Sequence, residues 1–490
     1  MCGFIGIVGS KGADVFRDIY EGLLAIQHRG QDASGAVTFA SHLQVKRGMG
    51  LVRDVFNEKN VARLTGHVGV GHVRYPTVGT GSEEDIQPFM MHFPFGLAMA
   101  HNGNVTNFLE LKNKYFIEHE IRMSSSCDLE AILYVFAQDI LEQGCARRIS
   151  RANYEHAVRS VFEKVKGAYS VVGFVPEQGF FAFRDPYGIK PIVVGKRVNP
   201  ATGEIEYAAA SESVVLDVIG FELMRDLEAG EAMWIQNGQE PYFVKVATKP
   251  HRPCIFELVY FARPDSMLDN VSVYKTRTRF GTKLASEWKD AGAPRPDVVI
   301  PVPDSARDAA QAMAQELGVP YREALVKNRY IGRTFIMPDN NSRRSSIRRK
   351  LNPIQIEFEG KDVLLVDDSL VRGNTSRKIV EMARAAGARK VYLALTSSPL
   401  IYPCPYGIDM STKKDFIAKN RTVEEVAHEI GVDYLYYLKQ ESMEACAKRG
   451  NEKVEKFCTA CFDGKYPTGD ITEEMLGAIE DERMASQGAE

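Results

Sequence analysis

The stretch VLLVDDSLVRGNT, from Val363 to Thr375, constrains this chain more than any other. A short apolar run enters a pair of acids, a polar turn follows, and a helical pattern begins near Ser376. An apolar run of that length without polar alternation predicts a strand buried on both faces, which belongs in a parallel sheet. The same strand, turn and helix order recurs in PDVVIPVPDSARDAAQAMAQELG, and KVYLALTSS reads as a further strand, so this half of the chain is α/β. Ligands of open α/β sheets bind at the carboxyl ends of the strands. There Asp367 and Asp368 can accept from the 2′ and 3′ hydroxyls of a ribose. The N–H groups of Ser369, Arg372, Gly373, Asn374 and Thr375, together with the helix N-terminus, face a 5′-phosphate.

Upstream the rhythm differs. From residue 3 to about 235 short strands are punctuated by Gly, Pro and Asn, with helical patterns at about 13–27 and 128–142, which predicts an α+β unit with largely antiparallel pairing. The polar stretch at 236–253 is the expected boundary, and the last 60 residues read as polar and helical. The chain thus divides into units at 2–235 and 255–430 with a helical extension at 431–490. A formal charge of -3, from 61 Lys plus Arg against 64 Asp plus Glu, provides no field to recruit nucleic acid or an anionic membrane. No apolar run approaches the roughly 18 residues of a membrane span, and MCGFIGIVGSKGADVF lacks the basic start of a secretory signal. A cytoplasmic location is expected. Eight cysteines in 490 residues are too sparse for a disulfide scaffold and read instead as core residues, metal ligands or nucleophiles.

Cys2 is the sharpest of these. Removal of Met1 exposes a cysteine whose own α-amine titrates at about 7.7–8.0, so a single residue can supply both nucleophile and base. With CGFIGIVG come LLAIQHRGQDASG (Leu23–Gly35), GHVRYPTVG (Gly71–Gly79), HNGNVTN (His101–Asn107) and SSSCD ending at Asp128. In that order these motifs resemble the N-terminal-nucleophile glutaminases, which fold as an αββα sandwich. The resemblance implies that Cys2 attacks the glutamine amide while the Asn102 side chain and the Gly103 N–H form the oxyanion hole. It implies that Arg74 pairs with the substrate α-carboxylate and Asp128 with its α-ammonium. Arg29 joins the glutamine-binding set in a supporting role, and His72 reads as a packed strand residue.

The pattern VLLVDDSLVRGNT, with FELVYFARPDS (Phe256–Ser266), VIPVPDSA (Val299–Ala306) and KNRYIGRTFIMP (Lys327–Pro338), resembles the type I phosphoribosyltransferases. Both halves together are similar to the amidophosphoribosyltransferase family. That resemblance implies phosphoribosyl pyrophosphate and glutamine as substrates, ammonia passed between two sites, and 5-phosphoribosylamine as product. It places Asp304 and Ser305 in the pyrophosphate loop, Arg333 and Lys350 on a lid, and Mg2+ at Ser305, Asp367 and Asp368. The basic run RRSSIRRK (Arg343–Lys350) lacks interleaved aromatics and is read as part of that lid rather than as a nucleic-acid site. A homotetramer or homodimer inhibited by purine nucleotides is also implied. A glucosamine 6-phosphate synthase has no use for the acidic pair motif, and a DNA-binding regulator leaves Cys2, Arg74, Asn102 and Asp128 without purpose.

Cys458 and Cys461 form a C-x-x-C pair which by spacing alone could serve zinc, redox chemistry or nothing. The iron–sulfur branch of the family carries ligands at positions matching Cys254, Cys404, Cys458 and Cys461, which implies a 4Fe-4S cluster, with zinc as the alternative. That branch usually carries a propeptide, whereas here Met1 alone precedes Cys2. Cys127, Cys145 and Cys446 are expected to be packing residues.

Overall fold

The computed structural model describes residues 2–75, 82–236, 238–328, 351–408 and 416–477. The N-terminal half builds two antiparallel sheets. One has seven strands, in the spatial order Glu222–Asp226, Val193–Val198, Ile205–Ala210, Gly3–Val8, Val68–Arg74, Ala33–Phe39 and Leu43–Met49. The other has six, in the order Tyr242–Lys245, Glu231–Ile235, Gly179–Arg184, Gly167–Val175, Leu97–Val105 and Phe89–Met91. Side chains alternate across a strand, so neighbours in one strand serve different cores. Phe4 faces the layer between the sheets with Val172, Phe180 and Met233. Ile5 and Ile7 turn outward beneath the helices Phe16–Ala25 and Ser213–Val218. Helices Leu129–Glu142 and Arg151–Lys164 cover the other outer face over Val171, Phe181 and Trp234. The result is the αββα sandwich, with Cys2 at the head of a strand in the middle of a sheet.

The C-terminal half carries a parallel sheet in the order Val298–Pro301, Asp362–Asp367, Lys390–Leu395 and Tyr434–Tyr437. In its second strand Leu364 and Val366 pack with Phe280 and Met313 under the helices Val273–Asp290 and Arg307–Leu317. Val363 and Leu365 face the opposite way, toward Ile379 and Val426 of the helices Asn374–Ala385 and Val423–Ile430. Both faces are buried, which is why the strand shows no polar alternation. Among the described residues no helix is long and apolar enough to cross a membrane.

Two expected boundaries shift. Tyr242–Lys245, inside the stretch read as a linker, pairs with Glu231–Ile235 and extends the N-terminal sheet. Tyr434–Tyr437, placed in the helical extension, is the fourth strand of the parallel sheet. Tyr434 and Tyr436 are half-buried and Tyr437 is buried, and the polar tips of three tyrosines in four residues weakened the strand signal. Beyond it the chain forms the helix Gln440–Lys448 and the short helix Ala460–Asp463.

The halves meet through buried charge. Arg184, at the end of a sandwich strand, donates to Asp269 Oδ1 and Oδ2 at 2.6 and 2.9 Å and to the carbonyls of Gly188, Lys190 and Leu227 at 2.7 Å each. Asp226 accepts the N–H groups of Asp269 (2.7 Å) and Asn270 (3.2 Å), whose φ values of 51° and 58° lie in the left-handed region that Asp and Asn tolerate. Removing one partner of such a pair leaves the other charge buried and uncompensated. Arg184→Met should therefore destabilise the folded protein by about 3–5 kcal/mol, read as a lower urea midpoint. Adding Asp269→Asn should restore part of the loss. A single variant with the wild-type midpoint would show that the contact holds nothing.

Candidate functional site

Cys2 is buried, its N–H donates to Asn102 Oδ1 at 3.4 Å, and its Sγ lies 3.6 Å from the carbonyl oxygen of Tyr75. Asn102 is wholly buried, and its Nδ2 has no partner among the described residues. A buried amide donor left unsatisfied is costly, so it marks a place where a ligand acceptor belongs. Gly103 follows it on the strand Leu97–Val105, opposite Tyr169. A Cβ at Gly103, whose φ is 155°, would stand 2.0 Å from the Ala168 carbonyl oxygen, so only glycine fits that approach.

Arg74 and Asp128 are held by residues that the motifs alone did not single out. Asp85 lies 3.3 Å from Arg74 Nη2 and also accepts from the Ser126 N–H at 2.9 Å. Asp128 accepts from the Val105 N–H at 2.7 Å and from His101 Nε2 at 3.2 Å. Gln87 Nε2 donates to His101 Nδ1 at 2.9 Å, which assigns the His101 proton to Nε2, facing Asp128. Burial alone would raise the Asp128 carboxyl, but His101 and the Val105 N–H outweigh it and hold the group below its usual range. His72 is buried, pushed well below the ordinary imidazole value by desolvation and by the neighbouring His101 and Arg74, and bonded to the His101 carbonyl at 3.2 Å. It is a packed strand residue. His101 stood within the HNGN motif, but its role depends on Gln87 across the strand pair.

Arg29 is a correction to the glutamine-binding set. Its guanidinium is fully buried and committed elsewhere: Nε donates to Glu212 Oε1, and Nη2 donates to Glu257 Oε2 at 2.8 Å. Two buried carboxylates, one of them beyond the domain boundary, claim the group.

At the carboxyl end of the strand Asp362–Asp367 the acidic pair sits as expected. Asp368 accepts from the Ser305 hydroxyl and from Ser369 Oγ at 2.5 Å, while Asp367 Oδ1 accepts the Asp368 N–H at 2.8 Å. Burial pushes both carboxyls up, and repulsion from Asp368 pushes Asp367 further. The helix Asn374–Ala385 starts two residues earlier than expected, so Asn374 and Thr375 form its first turn. Gly373, at φ 78°, is its N-cap without a side-chain cap, leaving first-turn N–H groups for an anion. Arg372 is exposed on the same turn. Asp304 is exposed and pairs with Lys327 at 2.6 Å and Arg307 at 3.4 Å. Arg333, Lys350 and the basic run at 343–350 lie outside the described residues.

Cys254, Cys404, Cys458 and Cys461 are all buried in one core. The Cys458 N–H donates to the Pro253 carbonyl at 2.9 Å and the Ile255 N–H to the Cys458 carbonyl at 3.3 Å, while the N–H groups of Ile401 and Tyr402 both reach the Cys461 carbonyl at 3.1 Å. Three distant segments are thereby drawn together. Burial pushes the Cys254 thiol up to about 12, and burial with the charge of the neighbouring cysteines pushes Cys458 and Cys461 well above the usual thiol range. Lys190, also buried, opposes the rise at Cys254 and Cys458. Among the described residues no three His, Cys, Asp or Glu side chains close around a single ion position. Cys127 and Cys446 are buried and Cys145 half-buried.

Residues 72–216 match the glutamine amidotransferase domain family, and residues 277–401 match the phosphoribosyl transferase domain family. The chain is 46% identical to an amidophosphoribosyltransferase of Pasteurella multocida over 490 residues, spanning 99% of this chain and 96% of that protein. It is 43% identical to the Escherichia coli amidophosphoribosyltransferase over 98% of this chain and 95% of that one. A solved glutamine phosphoribosylpyrophosphate amidotransferase from B. subtilis, complexed with ADP and GMP, aligns with a TM-score of 0.84 at 35% identity, covering 96% of this chain and 98% of that one. A second solved structure, of an allosteric regulatory enzyme of purine biosynthesis, gives 0.85 at 34% identity over 98% and 99% of the two chains. The sandwich with its N-terminal cysteine and the parallel sheet with its acidic pair define a glutamine amidotransferase joined to a phosphoribosyltransferase. Within that class, the chain belongs to the amidophosphoribosyltransferase family.

Proposed function

We infer that the chain uses glutamine to aminate phosphoribosyl pyrophosphate, releasing glutamate and pyrophosphate and forming 5-phosphoribosylamine, the first step of purine synthesis. The observation that carries this reading is the pairing in one chain of Cys2 beside Asn102 Nδ2, which has no partner among the described residues, with the acidic pair and helix start at 367–375. After removal of Met1, the Cys2 amine takes the thiol proton, and Sγ attacks the glutamine amide carbon. Asn102 Nδ2 and the Gly103 N–H receive the oxyanion, and the amine returns the proton to the departing ammonia. Water then hydrolyses the thioester to glutamate. Arg74, backed by Asp85, takes the substrate α-carboxylate, and Asp128, oriented by His101, takes the α-ammonium.

Ammonia passes to the second site and displaces pyrophosphate at C1 of the ribose. Asp367 and Asp368 accept from the ribose hydroxyls, and the Asn374–Ala385 helix start binds the 5′-phosphate. Asp304 and Ser305 flank the pyrophosphate, and Arg333 and Lys350 are assigned to the lid that closes over it. The donor set fits Mg2+, because two adjacent buried carboxyls, one raised further by repulsion from the other, with the Ser305 hydroxyl bonded to Asp368, favour a bound cation. Bound there, Mg2+ supplies charge neutralisation for the leaving pyrophosphate. A homotetramer or homodimer, inhibition by purine nucleotides such as the ADP and GMP bound by the B. subtilis relative, and a cytoplasmic location complete the proposal.

The four buried cysteines are assigned to a 4Fe-4S cluster. Four cysteines from three segments share one core with no histidine beside them among the described residues, a thiolate donor set that suits soft metal ions once the thiol protons are released. The cluster would tie the segment around Cys458 and Cys461 to the body of the enzyme. Zinc on the same ligands is the alternative.

Cys2→Ala should abolish glutamine-dependent synthesis and leave synthesis from added ammonia intact in steady-state assays. Loss of both in a folded variant would refute the two-site reading. Asp367→Asn should lower turnover with phosphoribosyl pyrophosphate by about tenfold or more, the loss of a charge-assisted buried contact, without changing glutamine hydrolysis measured alone. Anaerobically prepared protein should contain iron and sulfide and absorb in the visible; stoichiometric zinc would change the metal, and active protein lacking both would remove the cofactor.

A further inference from the structure

Glu257 belongs to neither substrate site, yet its carboxylate is buried against the glutaminase half. It sits on the π-helical turn Glu257–Phe261, just after Cys254, and its Oε2 accepts from Arg29 Nη2 at 2.8 Å. Arg29 is in turn gripped through Nε by Glu212, which also accepts from His28 Nε2 (2.8 Å), the Arg263 N–H (2.9 Å) and the Ser266 hydroxyl (2.7 Å). The aliphatic stem of Arg29 lies under Gly3, where a Cβ would come within 3.1 Å of Arg29 Cδ and 3.2 Å of Arg29 Cβ. Gly3 adjoins Cys2. The next residue, Phe4, is fixed by Ser211, whose hydroxyl accepts the Phe4 N–H at 3.0 Å and whose N–H reaches the Phe4 carbonyl at 3.1 Å, and Ser211 adjoins Glu212. The turn itself is fixed from the other side. Arg277 donates to the carbonyls of Leu258 (3.0 Å), Tyr260 (3.1 Å) and Ala262 (2.8 Å), all in or beside it.

We propose that Glu257 is a positioning residue for the glutaminase nucleophile: by holding Arg29 beneath Gly3, a turn of the C-terminal half sets where Cys2 stands relative to Asn102 and Gly103. Three features distinguish this from an ordinary buried ion pair. Arg29 faces two carboxylates, so one positive charge is shared between two negative ones. Only Glu257 comes from outside the sandwich. In addition, Arg29 Nη1 and Glu257 Oε1 are buried without partners among the described residues, so the contact is a single directed bond whose strength depends on where the turn stands. Glutamine binding by Arg74 and Asp128 does not pass through this contact, so its loss acts on turnover rather than on substrate affinity.

The inference rests on Cys2 as nucleophile, so Cys2→Ala is assayed alongside. Glutamine hydrolysis by that variant would overturn the reading of the site itself and leave Glu257 without a nucleophile to position. Glu257→Gln is the informative change, because it leaves the Arg29–Glu212 pair charge-balanced, and its urea midpoint is measured to show that the variant folds. In the full chain, kcat for glutamine hydrolysis should fall about ten- to a hundredfold, as expected for a displaced nucleophile, with KM for glutamine within about twofold. Labelling of Cys2 by a glutamine-like diazo ketone should slow in parallel, while ammonia-dependent synthesis stays within about twofold of wild type. Glu257→Met, which removes the hydrogen bond as well, should lower glutamine turnover further and spare ammonia use equally. Unchanged glutamine turnover in both variants, or an equal loss of both activities in either, would overturn the proposal.

Discussion

A guanidinium removed from water without a partner costs several kcal/mol, and in this molecule that cost dictates how the two halves meet. Arg184 is enclosed by three carbonyls and Asp269, and Arg29 by Glu212 and Glu257. In each case the arginine belongs to the sandwich and a carboxylate comes from the C-terminal half. Displacement of either half by a few ångströms would strand four or more charges in a medium that cannot solvate them. The orientation of the domains is therefore fixed by electrostatics as much as by apolar packing, and the two sites inherit a defined separation from it.

The sites were legible in the sequence where their chemistry is local. VLLVDDSLVRGNT carries its strand, turn and helix start in one stretch, and the burial of Leu364, Val366, Val363 and Leu365 on alternate faces bears out the strand reading. Cys2, Asn102 and Gly103 could be named because each sits in a short motif. Arg29 misled because its partners are 183 and 228 residues away, and nothing in QHRGQD marks a side chain already claimed by Glu212 and Glu257. Asp85, Gln87 and His101 escaped because their roles rest on contacts between separate segments, Asp85 with Arg74 and Ser126 and Gln87 with His101. Tyr434–Tyr437 was missed as a strand because three of its four residues are tyrosines, whose polar tips break the continuous apolar run that marks Val363–Val366.

The C-terminal segment is held by the parallel sheet through Tyr434–Tyr437 and by the contacts around its cysteines. Parallel backbone hydrogen bonding beside Cys254 and Cys458 and the two N–H groups reaching the Cys461 carbonyl bring it back to the core. The loop containing Cys404 does more, because the Pro405 carbonyl accepts from Asn104 Nδ2 at 2.7 Å. Asn104 lies two residues from Asn102 on the same strand. One loop therefore contacts the cysteine core through Cys404 and the strand that carries Asn102 through Pro405.

The acidic pair depends on a compensation that leaves it available. Arg277 lowers the Asp368 carboxyl through its charge, yet its N–H groups are given to backbone carbonyls. The hydrogen bonds on Asp368 come instead from the Ser305 and Ser369 hydroxyls. A hydroxyl rotates about its C–O bond and can release an acceptor at little cost, whereas a guanidinium fork locked onto a carboxylate cannot. A salt bridge at this point would have satisfied the pair and closed the site. Two serine hydroxyls hold Asp368 and the Asp368 N–H holds Asp367, so both buried carboxyls are kept in place without a cation locked onto them.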